Sequence, residues 1–433
     1  MSFPRYPKYK ESGAEWLGQV PDHWEVKKLR FLTIIKKGRL PNETFPTPTT
    51  ATDLPYLSME FLRNEKESSA YVTSAPKLVR AKDGDILILW DGSNAGEFLR
   101  AKDGVVSSTI ALIQPENIER EFLYFACKSL ERRMKDLTVG MGIPHVSGDD
   151  LRSCAIPYPD QSEQTAIADF LDQETAKIDG LIVEQEQLIE LLKEKRQAVI
   201  SHAVTKGLNP DAAMKDSGIE WIGQVPAHWD VTRLKYATIR IVDCPHETPE
   251  YTDDGPFFVI RTADLNQGII KETKMYRVSE TEYLNRIRRE PLLKNDIVYG
   301  REGERWGHAA LIGEDSRFCL GQRMMQFRAS ESFCPIYLMW ALNSESTYLQ
   351  GSIDTVGATS PHVNVGTIRN YALAHPPLDE QRAIGVHLAR HTDVFDVLIE
   401  EAQKAITLLQ ERRSVLISAT VTGQINVRGI HHQ

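Results

Sequence analysis

Apolar residues recur at alternating spacings of three and four along two stretches of the chain. The first stretch steps through Ile167, Leu171, Glu174, Ile178, Leu181, Gln185, Leu188, Leu192, Lys195 and Val199, and seven of the ten are apolar. The second steps through Ile384, Leu388, His391, Phe395, Leu398, Ala402, Ala405, Leu409, Arg412 and Leu416, and eight of the ten are apolar. A seam of period about 3.5 held over about five heptads predicts a long helix that pairs with another along that edge. Polar residues interrupt both seams at equivalent steps, Glu174 with His391 and Lys195 with Arg412. An antiparallel pair would bring Glu174 near Arg412 and Lys195 near His391; the alternative is that each reaches out to water. Asp160 with Glu163 has the form of a capping box at the start of the first helix, and Gly207 and Gly423 stand just past the two ends. Roughly 40 residues at about 1.5 Å each make a rod near 60 Å, too long to lie inside an ordinary domain. It must join domains or bind partners.

The two helical stretches belong to a larger repeat. Residues 12–33, SGAEWLGQVPDHWEVKKLRFLT, match residues 217–238, SGIEWIGQVPAHWDVTRLKYAT, at 13 of 22 positions. The helix starts echo each other too: Glu163-Gln164 with Thr175 and Asp179 recur as Glu380-Gln381 with Thr392 and Asp396, and Pro144-His145-Val146 recurs as Pro361-His362-Val363. Between these frames the halves diverge, which suggests one scaffold presenting two different surfaces. The intervening blocks read as mixed α/β. Short apolar runs bounded by turn residues predict strands at Asp85–Trp90, Ser108–Ile113, Phe257–Ile260 and Asp296–Tyr299, with helices at Glu121–Asp136 and Pro335–Leu349. Pro41–Asp53 reads as an exposed loop. The expected division is 1–160 and 207–376 as two α/β domains, with 161–206 and 377–433 as the long helices and tail.

Composition narrows the class. A chain of 433 residues, 41% apolar and 26% charged, can build two or three ordinary cores. No apolar run reaches the ~20 residues of a membrane span, and the opening residues lack the apolar stretch of a secretory leader. Five scattered cysteines without a C-x-x-C pair fit free thiols of a reducing cytoplasm, with no metal site implied. A net charge of −9 argues at first against nucleic acid. Split by segment, however, it is 0 over 1–160, −4 over 161–207, −4 over 208–376 and −1 over 377–433. Charges are screened beyond about 8 Å at physiological salt, so the total does not decide the partner.

Searches for catalytic patterns fail. The chain has no G-x-x-x-x-G-K-[ST] phosphate loop, no G-x-S-x-G elbow, no H-E-x-x-H helix and no [DNS]-P-P-[YF] base-holding tetrapeptide. Asp22…Glu25-Val26-Lys27 superficially resembles a metal-nuclease pattern, but the three groups are too close to sit on two strands. The other half has Asp230 and Thr232 in place of Glu25 and Lys27. The terminal His431-His432 is too little for a metal site.

The twice-occurring S-G-x-E-W-[LI]-G-x-V-P-x-H-W segment, and the E-Q-x-x-I start of a long helix ending in V-T, resemble the DNA-specificity (S) subunit of type I restriction–modification systems. The resemblance covers essentially the whole chain. It implies an α+β fold in which two pseudo-repeated target-recognition domains are joined by two long antiparallel coiled-coil helices with approximate two-fold symmetry. It further implies double-stranded DNA as ligand, read as a bipartite asymmetric target with a fixed spacer. Two methyltransferase (M) subunits and restriction/translocase (R) subunits would be partners, in the cytoplasm and off the membrane. No catalysis and no cofactor are then expected in this chain. S-adenosylmethionine, ATP and magnesium would serve the partner subunits. The competing reading is a coiled-coil assembly scaffold without DNA readout, which leaves the divergence of the two halves unexplained.

Candidate DNA contacts are chosen by chemistry, since Arg and Lys suit guanine, Asn and Gln suit adenine, and Glu can accept from cytosine. In the first domain these are Lys36, Lys37, Arg39 and Asn42 around a glycine, and Trp90, Asp91, Ser93 and Asn94 in a turn after a strand. In the second they are Arg301, Glu302, Arg305 and Trp306 at the corresponding turn, with Arg261, Gln322 and Arg323. His145 and His362, on the shared P-H-V element, join them. Solvation alone, or phosphate contact without base reading, is the plainer role for any one of them. Trp16, Trp24, Trp221 and Trp229 recur with the frame and are expected to pack internally. The helix-pairing face is assigned to Ile167, Leu171, Ile178, Leu181, Leu188, Leu192, Val199, Ile384, Leu388, Phe395, Leu398, Leu409 and Leu416.

Overall fold

The computed structural model describes residues 3–63, 68–73, 76–138, 144–303, 305–313, 317–355 and 361–429. The terminal His431-His432 pair lies outside them. Two α/β domains are connected by two long, unbroken helices, Gln161–Lys206 and Leu378–Val421. The chain divides into two compact units, one of 1–185 with 405–433 and the other of 186–404. Each unit therefore holds one domain, the start of one long helix and the end of the other.

In the first unit a four-stranded antiparallel sheet runs in the order Thr33–Lys37, Ile110–Pro115, Ile86–Leu89, Phe98–Arg100. Ile86, Ile88, Ala111 and Ile113 are buried and pack on the helix Arg120–Asp136 through Phe122, Phe125, Ala126 and Leu130. A second sheet, Tyr71–Thr73, Asp53–Leu57, Gly104–Val106, Arg80–Ala81, contains one parallel pair. The second unit repeats the plan. Its main sheet is ordered Thr238–Asp243, Met324–Ala329, Ile297–Gly300, Ala309–Leu311. Its smaller sheet, Tyr276–Val278, Phe257–Ile260, Phe318–Leu320, again has one parallel pair. All four expected strands form, each within a residue or two of its expected ends. The helix expected over Pro335–Leu349 is instead two, Pro335–Leu342 and Glu345–Ser352. They part at Asn343, whose side-chain amide bonds both the N–H and the C=O of Ala309 at 2.9 Å and so ties the break to the sheet.

The repeated frame has a mechanical purpose. Trp24 and Trp229 are fully buried. The Trp24 indole N–H donates to Glu163 Oε2 at 2.8 Å, at the start of the first long helix. Trp229 donates to Glu380 Oε2 at 2.9 Å, at the start of the second. The same two rings cover the glycines that end the helices. Gly423 has φ +75° and a Cβ there would meet Trp24 at 3.0 Å and Pro21 at 2.3 Å; Gly207 has φ +74° and would meet Trp229 at 3.0 Å. Only glycine combines that left-handed backbone with so close a ring. One tryptophan thus clamps the beginning of one long helix and the end of the other. Gln164 and Gln381 complete the joint, accepting from the N–H of Glu119 at 2.8 Å and of Cys334 at 2.7 Å. Asp160 caps the first helix, accepting from the Glu163 N–H at 2.9 Å, but the Glu163 side chain turns to the domain instead of closing a capping box.

The buried edge of each long helix departs from the seam expected of it. After Leu171 the chain takes a step of four to Thr175, not three to Glu174, and the second helix does the same with Thr392 in place of His391. Both threonines are buried, and their hydroxyls donate to the carbonyls of Leu171 and Leu388 at 2.7 and 2.8 Å. The extra residue moves much of the buried edge beyond it, as a stutter in a heptad pattern does, although Ile178, Ala402 and Leu416 stay buried as expected. Ile182, Ile189, Arg196 and Ile200 face inward on the first helix, and Ile399, Ala402, Ile406 and Arg413 on the second. Leu181, Leu188 and Leu398 stand exposed, while Leu192, Val199, Phe395 and Leu409 are half-buried. Ile167, Leu171, Ile178 and Leu416 belong to the core of the first unit, and Ile384 and Leu388 to that of the second. The helices run antiparallel within each unit, and the ion pairs between them are not those expected: each arginine lies one residue, and its carboxylate partner five residues, beyond the expected position. Arg413 meets Asp179 at 2.8 Å and Arg196 meets Asp396 at 3.1 Å. Glu174 pairs along its own helix with Lys177 at 2.6 Å, and His391 stacks on His387.

Candidate nucleic-acid interface

The strand that ends at Leu89 delivers Trp90 and Asp91 to a turn, and the P-H-V element pairs with that turn. Val146 N–H donates to Trp90 O at 2.8 Å and Gly92 N–H to Pro144 O at 2.9 Å. In the second unit Val363 N–H donates to Arg301 O at 3.2 Å and Gly303 N–H to Pro361 O at 2.9 Å. Asp91 faces His145, and Glu302 faces His362, as isolated bridges. Val146 and Val363 are buried and hold the element down, whereas His145 and His362 are exposed beside the turns. Backbone geometry therefore equates Trp90 with Arg301 and Asp91 with Glu302.

The neighbouring edge strand can be matched in the same way. Lys37 pairs with Ala111, which pairs with Ile88, two residues before Trp90. Asp243 pairs with Met325, which pairs with Tyr299, two residues before Arg301. Lys37 and Asp243 thus occupy one position in two copies, with opposite charge. In the first unit Lys37 Nζ lies 2.9 Å from Asp91 Oδ2 and 5.6 Å from the Trp90 ring. Ser93 and Asn94 are exposed at the tip of this turn, and Lys36 is exposed on the strand. Arg39 and Asn42 lie apart from it, lining a cleft of about 690 Å³ with Leu40, Phe45 and Lys77.

The second unit carries a denser network. Arg301 is buried; its guanidinium donates to Asp243 Oδ2 at 3.2 Å and to Glu302, and its Nε has no partner among the described residues. His246 Nε2 sits 2.9 Å from the same Asp243 oxygen. Arg323 is exposed and held only loosely, 3.9 Å from Glu302. Arg261, Gln322 and Arg323 come together with Tyr251 in a cleft of about 240 Å³. Arg261 donates twice to Asp264, at 2.9 and 2.8 Å, and lies 3.8 Å from the Tyr276 ring. The bonded Asp264 carboxylate raises the guanidinium further above its ordinary value, so it stays a cation. Gln322 accepts from the Thr248 hydroxyl at 3.0 Å. Arg305 turns away and donates to the carbonyls of Ala263 and Leu265. Trp306 is buried, stacked 4.3 Å from Tyr348, and so packs the core instead of facing solvent.

Residues that the sequence did not single out complete these faces: Asp243, His246, Tyr251 and Tyr276 in the second unit and Lys77 in the first. None lies in a repeated segment; Asp243 reaches the turn by strand pairing, His246 and Tyr251 stand in the loop after that strand, and Lys77 lines the separate cleft. Five free cysteines are present, and no cluster of three or more metal-binding side chains occurs among the described residues.

Known proteins of similar sequence and fold agree on one family. The chain is 28% identical over 443 residues to the type I restriction enzyme MjaVIII specificity subunit of Methanocaldococcus jannaschii, an alignment covering 100% of this chain and 99% of that one. It is 20% identical over 386 residues to the EcoBI specificity subunit of Escherichia coli, covering 87% and 81%. Its fold matches, with TM-score 0.66 at 15% identity, a chain solved in work on complex assembly and conformational transition of the type I R-M system; 94% of this chain and 99% of that one are covered. The family model for the type I restriction modification DNA specificity domain matches twice, over residues 21–191 and 237–408, and the chain belongs to that family.

Proposed function

We propose that this chain supplies DNA sequence specificity to a type I restriction–modification complex by reading two unlike half-sites, one with each domain. It recognises DNA and assembles with methyltransferase and restriction subunits, and it carries the addressing, not the chemistry. The observation that supports two-headed reading is the pair of backbone-matched turns with unlike side chains. Lys37, Trp90 and Asp91 in one unit stand where Asp243, Arg301 and Glu302 stand in the other. A scaffold that only assembled proteins would have no use for inverted charge on one backbone position. A DNA reader does, because each base pair presents its own donor and acceptor pattern in the major groove. The first face would read through Lys36, Lys37, Ser93, Asn94 and His145, the second through Arg261, Gln322, Arg323 and His362. Arg301 and Glu302 would fix the geometry of the second from below. The long helices would set the unread spacer between the half-sites. The complex would act in the cytoplasm, with S-adenosylmethionine, ATP and magnesium bound by the partner subunits.

The test is long-read methylome sequencing of cells that express this chain with its methyltransferase subunit. The expected result is adenine methylation at one interrupted, asymmetric motif. Arg323→Ala should relax the sequence of one half only, and Lys37→Ala that of the other. A single uninterrupted motif, or either substitution altering both halves, refutes the reading.

A further inference from the structure

Most positions that are identical in the two copies of the frame have an internal task. Ser12 and Ser217 close the same turn on the N–H groups of Ala14 and Ile219. Val20 and Val225 are buried, Trp24 and Trp229 clamp the helices, and Thr33 and Thr238 donate to the carbonyls of Leu29 and Leu234 at 2.8 Å. Two large apolar positions at the end of the frame have no such task. Phe31 is 67% exposed and its counterpart Tyr236 is 68% exposed. Ile34 is 42% exposed, and Ile239, which stands at the same sequence offset and is the extra residue of a bulge in its strand, is 59% exposed. A cation accompanies each aromatic ring: the Arg30 guanidinium lies 5.6 Å from Phe31, and Lys235 Nζ lies 5.1 Å from Tyr236.

Each aromatic stands on a short helical turn, Leu29–Phe31 or Leu234–Ala237, and each isoleucine lies at the start of the outermost strand of the main sheet. An apolar pair on an uncovered sheet edge invites aggregation and contributes nothing to the core. The halves diverge beyond the shared frame, yet at its end both keep an aromatic, an isoleucine and a cation. The patch lies at the opposite end of the edge strand from Lys37 and Asp243, about 10–13 Å away at ~3.3 Å per residue. It therefore sits beside the reading turn and not on it.

A partner present once per complex could use only one such patch. We infer that Arg30, Phe31 and Ile34 in one unit, and Lys235, Tyr236 and Ile239 in the other, are equivalent contacts for two copies of one protein, the methyltransferase subunit. The inference rests on the specificity-subunit reading. Of the two partners, the methyltransferase is the one needed next to each reading domain, because a base in each half-site must be modified. An aromatic–aliphatic pair flanked by a cation calls for an apolar pocket with an acidic rim on the partner.

Native mass spectrometry of the full chain titrated with its methyltransferase subunit tests this. The wild-type chain takes up two copies. Phe31→Asp or Tyr236→Asp weakens one of the two binding steps by about tenfold or more, as loss of a central aromatic contact does, and the double variant weakens both. Phe31→Tyr and Tyr236→Phe bind as wild type. Urea midpoints stay unchanged in all of them, because the side chains are exposed. The inference is overturned if the charged variants, singly and together, keep wild-type occupancy, or if they lose DNA affinity while methyltransferase binding is intact. A wild-type chain that binds no methyltransferase at all would overturn the specificity-subunit reading itself.

Discussion

Glu163 and Glu380 occupy the same place in the repeat but should differ sharply in worth. The Glu163 side chain is 2% exposed and the Glu380 side chain 42%. Glu163 accepts from the Tyr6 hydroxyl at 2.7 Å and the Trp24 indole at 2.8 Å, and it lies 3.0 Å from His23 and 3.4 Å from Arg428. Among the described residues Glu380 has the exposed His228 at 2.6 Å and the Trp229 indole at 2.9 Å as its partners. Burial beside Glu163 pushes the Tyr6 phenol far up, so it remains a donor at every accessible pH. Glu163→Ala therefore strands two buried donors, at roughly 1–3 kcal/mol each, for a loss of about 4 kcal/mol. Glu380→Ala strands one, since His228 can turn to water, for about 1–2 kcal/mol. Urea unfolding, with hydrogen exchange followed separately in the peptides around Trp24 and Trp229, measures both. Exchange should quicken around Trp24 in the first variant far more than around Trp229 in the second. Equal losses, or a loss under about 1 kcal/mol at Glu163, would refute the claim that this carboxylate is the joint between the first domain and its helix.

Two further outcomes follow from the structure. The equivalent ion pairs between the long helices should also be unequal. Asp179→Ala costs about 0.5 kcal/mol because that pair is open to solvent, whereas Asp396→Ala costs about 3 kcal/mol because it leaves the buried Arg196 guanidinium short of its counter-charge. Urea midpoints decide this, and a reversed order would contradict the burial. His308 supplies a pH dependence. Burial, with the Arg305 and Arg196 cations, pushes its imidazole below the ordinary histidine value, and its Nδ1 has no partner among the described residues. Its contribution to stability is thus present above the unfolded value of about 6.5 and is lost as pH falls from there toward the folded one. The urea midpoint of the second unit should drop between about pH 7.5 and about pH 5, and His308→Gln should flatten that drop; an unchanged slope in the variant would refute it.

The sequence alone was enough for whatever is written in a repeat or a local pattern. The two frames, the long helices, their glycine stops and the main strands are all of that kind, because side chains recurring at a fixed offset, or at a period of two or near 3.5, need no partner to be recognised. The packing of Trp24 and Trp229 was legible for the same reason. What tertiary structure decided was the outcome of competition between distant groups. The threonine stutter moved the buried edge from Leu181 and Leu188 to Ile182 and Ile189, because the first turns of each helix must satisfy a domain core before they meet another helix. Trp306 chose Tyr348 over solvent, and Arg301 became an internal cation between Asp243 and Glu302. The correspondence of Lys37 with Asp243 has no signature in the sequence at all. It exists only because two strands in each unit hydrogen-bond in the same register, and register is a property of the sheet, not of either strand by itself.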